Sequence, residues 1–213
     1  MRIAPSLAAA PMGHLSRVIA DLETAGADYI HFDVEDGSFT PVMTLGTRII
    51  AELRPHTRLP FDVHLMMVNP EWILPQLVEF GADRISVHYE ACPYPRRVLR
   101  QIVSLGARAG LAFNPATPLP DLSWLSPWLS FVIMLTTEPE VPDCSFLPQI
   151  LDRIRAHRSA ASDEGLEWIV DGGVGAGNLS DIRRAGVDTV VAGRAIFKDG
   201  RISENMAAFR AAM

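Results

Sequence analysis

Ala25-Gly26-Ala27-Asp28-Tyr29-Ile30-His31-Phe32-Asp33-Val34-Glu35-Asp36-Gly37 reads as a helix end, a strand and a polar strand terminus in direct succession. Glycine after a helical run closes it in a left-handed turn. In the strand that follows, residues two apart share a face, so His31 and Asp33 point the same way. The helix-closing signature returns as Phe80-Gly81-Ala82-Asp83, Leu105-Gly106-Ala107 and Ala185-Gly186-Val187-Asp188, each ahead of another short β-rich run.

Working outward, strands are predicted near Ile3-Ala4, Tyr29 to Asp33, Phe61 to Met66, Arg84 to Val87, Arg108 to Phe113, Phe131 to Leu135, Trp168 to Val170 and Thr189 to Ala192. Helical stretches fall between them, near His14 to Ala25, Thr47 to Leu53, Trp72 to Phe80, Arg96 to Leu105, Phe146 to Arg158 and Leu179 to Ala185, with a last one near Ser203 to Ala212. Strands alternating with amphipathic helices imply a parallel sheet with crossover helices. Eight such units in 213 residues predict an α/β fold, a (β/α)8 TIM barrel in one domain over 1–213. A doubly wound open sheet is the alternative. The proline-rich patch from Pro115 to Pro127 reads as a loop around one poor helix.

Composition narrows the function. With 48% hydrophobic and 21% charged residues, the chain suits a soluble globular domain with a sizeable core. Its net charge of −6 excludes a nucleic-acid surface, for which clustered Lys and Arg are needed. Arg96-Arg97 and Arg183-Arg184 are pairs on solvated helix faces. No run approaches the roughly 20 apolar residues of a membrane span. The start, broken by Pro5, does not read as a signal peptide. Cys92 and Cys144 form no metal-spacing motif and read as reduced thiols of a cytoplasmic protein.

The polar residues His31, Asp33, His64, Asn114, Asp171 and Gly193 fall at or just after strand C-termini, the face on which barrel sites are built. His31, Asp33, His64 and Asp171 would complete a set of two imidazoles and two carboxylates around one divalent metal. Zinc is the first choice for such nitrogen and oxygen donors, with iron, manganese or cobalt as alternatives. Asp62 shares a face with His64 and reads as a structural carboxylate, the alternative being an acceptor that orients His64. His88 reads as a loop residue after the fourth strand, with reach into the pocket as the alternative. His14, His56 and His157 read as surface residues. Gly172-Gly173 and Gly193-Arg194, after the seventh and eighth strands, sit where barrels hold a phosphate on backbone N–H groups.

The strings Ala4-Pro5-Ser6-Leu7, His31-Phe32-Asp33-Val34-Glu35-Asp36-Gly37-Ser38-Phe39, Asp62-Val63-His64-Leu65-Met66, Val87-His88-Tyr89-Glu90-Ala91, Asn114-Pro115-Ala116-Thr117-Pro118, Val170-Asp171-Gly172-Gly173-Val174 and Ala192-Gly193-Arg194-Ala195-Ile196-Phe197 occur in order over nearly the whole chain. In these the sequence resembles the ribulose-phosphate 3-epimerase family. The resemblance implies a TIM barrel with a catalytic divalent metal on His31, Asp33, His64 and Asp171. It implies that Asp33 and Asp171 exchange a proton at C3 of a ketose phosphate through a cis-enediolate. It further implies that Ser6, Met66 and the Asn114-Pro115 turn line the substrate pocket, and that the protein is a homo-oligomer whose partner is a small sugar phosphate. Rival readings are an aldolase, decarboxylase or isomerase on the same barrel, an epimerase for another ketose, and a non-catalytic sugar-phosphate binder. A lysine Schiff-base enzyme is disfavoured, because Lys198, the only lysine, lies beyond the eighth strand.

The chain departs from the family at three places, one of them Val42 after Pro41, where the family commonly has Asn. Where the family has a glycine-rich phosphate loop after the sixth strand, the sequence reads Glu138-Pro139-Glu140-Val141-Pro142-Asp143-Cys144-Ser145-Phe146. Proline has no N–H to donate and acids repel phosphate. The phosphate, if the substrate has one, is therefore expected on Gly172-Gly173 and Gly193-Arg194, with weakened use of D-ribulose 5-phosphate relative to a typical family member and another ketose phosphate or an unphosphorylated ketose preferred. Glu35 stands where the family generally has methionine. It reads as a specificity residue: an extra ligand, a partner for a sugar hydroxyl, or a like charge that raises the pKa of Asp33. The bland alternative is an acid that turns outward.

Overall fold

All eight β-rich runs become strands: β1 (Arg2–Pro5), β2 (Ile30–Glu35), β3 (Phe61–Met66), β4 (Arg84–His88), β5 (Arg108–Phe113), β6 (Leu129–Leu135), β7 (Glu167–Asp171) and β8 (Thr189–Ala192). They form one parallel sheet in the order β1-β8-β7-β6-β5-β4-β3-β2. A parallel bridge between Ser6 and His31 brings the two ends of that series together, so the sheet is a nearly closed barrel. The open-sheet alternative is excluded. This computed structural model describes residues 1–138, 145–160 and 165–213. Cys144 and most of the altered loop after β6 lie outside the described residues.

Helices α1 (Leu15–Thr24), α2 (Arg48–Leu53), α3 (Leu74–Glu79), α4 (Pro95–Ser104), α5 (Gln149–Ala160), α6 (Leu179–Arg184), α7 (Arg194–Phe197) and α8 (Ile202–Ala212) follow the strands. α4 shows why they dock. Proline at its first position costs no hydrogen bond, and Val98, Leu99 and Ile102 form a buried stripe while Arg96, Arg97 and Arg100 stay exposed. The glycines Gly26, Gly81, Gly106 and Gly186 adopt φ of 79°, 93°, 96° and 83°, which is what stops each preceding helix short of its strand. α5 begins later than its periodicity predicts, because the Leu147 N–H is bound to the Thr136 carbonyl at 2.7 Å. The proline-rich patch holds a single 3-10 turn, Ser123–Leu125.

Side chains alternate between two cores. Ile30, Phe32, Val34, Val63, Leu65, Ile85 and Val87 face outward into the layer beneath the helices. A second cluster, with Ala4, Tyr29, Met66, Ala112, Phe131, Ile133, Ile169 and Val191, fills the barrel itself. Across β2 to β4 the inner positions are polar instead, and buried: His31, Asp33, Glu35, Asp62, His64, Arg84, Ser86 and His88. His157 is half-buried, its ring 5.4 Å from that of Trp168, so it is not the free surface residue its sequence position implied. Among the described residues no helix is long and apolar enough to cross a membrane.

Candidate active site

Strand register decides which polar side chains meet. β2 and β3 pair so that His31 lies opposite Asp62 and Asp33 opposite His64. Neighbouring strands stand about 4.8 Å apart, whereas residues sharing a face within one strand are nearly 7 Å apart, so the cross-strand pairs interact first. His31 Nε2 lies 3.2 Å from Asp33 Oδ1 and 3.7 Å from Asp171 Oδ2. His64 Nδ1 stands at the same 3.2 and 3.7 Å from those two oxygens. One donor atom from each of His31, Asp33, His64 and Asp171 lies within 4.8 Å of the other three. Ligands about 2.1 Å from a shared zinc ion are roughly 3.4 Å apart in a tetrahedron, so this donor set fits a divalent cation in both chemistry and spacing.

The far nitrogens of both imidazoles are also engaged. His31 Nδ1–H donates to Asp62 Oδ2 at 2.9 Å, and Asp62 Oδ1 accepts from Arg84 Nε–H at 3.1 Å. Asp62 therefore orients His31, across the strand pair, and not His64, its neighbour on the same strand. His64 Nε2 lies 2.9 Å from His88 Nε2, and His88 Nδ1–H donates to Glu90 Oε2 at 3.0 Å. His88 is the last residue of β4 and fully buried, so the loop reading of it is corrected. The alternation Arg84, Ser86, His88 is the signal that could have placed it inside; no periodicity in the sequence singles out Glu90.

The electrostatics of the cluster call for positive charge. Burial opposes ionisation of His31, yet the Asp33 and Asp62 carboxylates outweigh it and raise its pKa well above the ordinary imidazole value. His64 is raised for the same reason, by Asp171 and Asp33 against burial. Asp33 goes the opposite way: burial pushes it up, but His31 and His64 hold it well below the usual carboxylate range. His88 differs from its neighbours, because burial pushes it down to about 4. Burial raises Glu90, but hydrogen bonds from His88, Thr117 and Asn114 bring it to about 2.

A cavity of about 430 Å³ opens above the cluster at the C-terminal mouth of the barrel. Ser6, Met66, Gly172, Gly173, Gly193 and Arg194 all line it with Asp33 and Asp171. The Ser6 hydroxyl donates to Asp33 Oδ2 at 2.6 Å, so it holds a site carboxylate. Gly172, at φ 105°, approaches Thr137 so closely that a Cβ there would lie 2.2 Å from the hydroxyl oxygen. Asn114 stands apart from this lining; its backbone N–H donates to Glu90 at 2.7 Å. Glu35 is buried and lines the cavity, and its Oε2 accepts the Thr44 N–H at 2.7 Å. It has neither turned outward nor joined the four clustered donors, and the Asp33 carboxyl beside it is lowered, not raised.

Residues 2–197 match the model of the ribulose-phosphate 3 epimerase family. The chain belongs to that family. It is therefore an enzyme of the isomerase class, as the resemblance implied. It is 40% identical over 212 residues to the ribulose-phosphate 3-epimerase of Synechocystis sp., covering 98% of this chain and 92% of that relative. The Escherichia coli K12 ribulose-phosphate 3-epimerase is 39% identical over 198 residues, covering 92% of this chain and 88% of its own length. Orotidine 5'-phosphate decarboxylase from Pyrococcus horikoshii OT3 superposes with a TM-score of 0.70 at 18% identity, over 99% of this chain and 98% of that one. That last likeness is one of fold alone. Membership in an epimerase family sets aside the aldolase and decarboxylase readings.

Proposed function

We propose that this chain, as one domain over 1–213, is a metal-dependent 3-epimerase of ketose phosphates, with the ribulose phosphate of its relatives' names as substrate. The observation that carries the reading is the four-donor cluster of His31, Asp33, His64 and Asp171 at the floor of the 430 Å³ cavity. Zinc is the proposed ion, with iron, manganese and cobalt as alternatives. A bound divalent ion would supply stabilisation for the negative charge that develops as a weakly acidic C3 proton leaves.

The chain's own residues do the rest. Asp33 and Asp171 are the acid and base: one takes the C3 proton from one face, the other returns a proton to the opposite face, and the roles exchange in the reverse reaction. Ser6 holds Asp33 in place through its hydroxyl. Met66 supports the sugar from the cavity wall. Glu35, with one oxygen tied to Thr44, is assigned to a sugar hydroxyl. The phosphate is assigned to the N–H groups of Gly172-Gly173 and Gly193, with the exposed Arg194 guanidinium giving a charge-assisted hydrogen bond. Asn114 is assigned a supporting role in the pocket rim through Glu90. A cytoplasmic setting is supported by Cys92, a buried free thiol. A homo-oligomer is the assembly that the family resemblance supports.

His64→Ala is the direct test. Elemental analysis is expected to find about one divalent metal per wild-type chain and little in the variant, with epimerisation lost in parallel. Metal undiminished in the variant, or none in the wild type, would overturn the centre. Turnover of D-ribulose 5-phosphate against unphosphorylated ribulose tests the phosphate assignment; Arg194→Ala should narrow that preference, and an unchanged ratio would reject Arg194.

A further inference from the structure

The two imidazoles of the cluster are oriented by unlike devices. His31 donates directly to a carboxylate, Asp62, at 2.9 Å. His64 meets a second imidazole, with His88 Nε2 2.9 Å from His64 Nε2 and the two rings stacked at 4.9 Å and 26°. Two ring nitrogens at that distance share one proton between them. Which ring carries it follows from the far side of His88. There Nδ1 is 3.0 Å from Glu90 Oε2, while Glu90 Oε1 receives the Asn114 N–H at 2.7 Å and the Thr117 hydroxyl. Glu90 is thus an acceptor on both oxygens. A neutral imidazole has one donor and one acceptor nitrogen. With its Nδ1–H given to Glu90, His88 turns a lone pair toward His64. His64 then carries a proton on Nε2, which leaves Nδ1, on the side of Asp33 and Asp171, as the nitrogen that would face a bound ion.

We propose that His88 and Glu90 are positioning residues that lock His64 in its Nδ1-ligating tautomer. This rests on the metal-centre reading above. The surroundings keep the relay in register: His88 is fully buried, and the Phe39 ring lies 4.4 Å from its own. Glu90 also ties the relay to the loop after β5. The carbonyls of Pro115 and Thr117 in that loop are held by Arg153. The orienting hydrogen bond of His64 therefore ends in a braced loop, whereas that of His31 ends in the barrel interior at Arg84.

Zinc affinity, measured by competition with a chromophoric chelator, separates the alternatives. His88→Leu removes the acceptor for His64 Nε2–H and should weaken zinc binding ~10–100-fold, the usual cost of losing an orienting partner. His88→Gln can accept from His64 through its side-chain oxygen and should retain most of the affinity, which a purely packing role for His88 would not require. Equal affinity in wild type and His88→Leu would overturn the inference and leave the metal centre standing; a wild type that binds no zinc would overturn the metal centre itself. Ring 15N NMR of the zinc-loaded wild type makes the test independent of how any variant folds. The proposal requires a protonated Nε2 on His64 and a protonated Nδ1 on His88, and the opposite tautomer on either ring overturns it.

Discussion

The barrel buries charge at both of its ends and balances it differently at each. At the N-terminal ends of the strands, Glu167 accepts from Arg84 at 3.2 Å, from Arg2 at 3.0 Å and from the Thr189 hydroxyl at 2.6 Å. Arg84 also holds Asp62, and its guanidinium lies 4.3 Å from the ring centres of both Tyr29 and Phe131. Every acid there faces a fixed guanidinium. At the C-terminal mouth, Asp33, Asp171 and Glu35 line one cavity, and their partners are imidazoles, the Ser6 hydroxyl and the Thr44 N–H. Charge matched within the chain serves the fold. Charge left short of a cation is a hallmark of a working site. Asp62 joins the two ends, accepting from His31 with one oxygen and from Arg84 with the other.

Substitution at the mouth is expected to have the largest effect. Asp33→Asn and Asp171→Asn should each cut epimerisation by more than ~10²-fold, since an amide neither takes nor returns the C3 proton. Asp171→Asn should leave the urea midpoint of the metal-free protein close to that of the wild type, whereas Asp33→Asn should lower it, because His31 and His64 hold the Asp33 carboxyl well below its usual range. Deuterium wash-in at C3 reads the first effect. A variant that exchanges the C3 proton at the wild-type rate would remove that aspartate from the mechanism, and a lowered midpoint in Asp171→Asn would show that the mouth is built for stability after all.

At the other end the expected pattern is reversed. Arg84→Met leaves the buried Asp62 with only the His31 imidazole and removes one of the guanidinium partners of Glu167, and stability should fall by about 3–5 kcal/mol, the range for breaking a buried pair from one side. Urea unfolding measures it; a loss below that found for Asp171→Asn would dissolve the distinction between the ends.

A smaller effect is expected from pH. The carboxyl of Glu90 is held at about 2 in the folded protein, against an ordinary value near 4.5. Its contribution is thus complete above pH 4.5 and fades as the pH falls toward 2. Glu90→Gln should cost about 1 kcal/mol at pH 7, the scale of a hydrogen bond, and clearly less at pH 3. A gap between wild type and variant that stays constant over that range would mean that the charge on Glu90 contributes nothing.

Much of this was legible in the chain. The eight β-rich runs, the glycines that end helices ahead of four strands, and the polar residues at strand ends are local patterns, and local patterns survive in a linear string. The period of two along β2 put His31 and Asp33 on one face before any partner strand was known. What the string hides is register. Asp62 and His64 share a strand face, which made them look like partners, yet the β2–β3 pairing sets Asp62 beside His31 and Asp33 beside His64. The same holds for Arg84, whose pairing with Glu167 spans 83 positions of sequence. His88 was hidden by one residue of strand length, and Glu90 by lying in a turn whose direction depends on the strand before it. Residue order alone establishes which side chains are available and which way they alternate, because side-chain direction along a strand is a property of the backbone. Which of them touch is set by the assembled barrel, because hydrogen bonds form across strands whose relative register no single strand encodes.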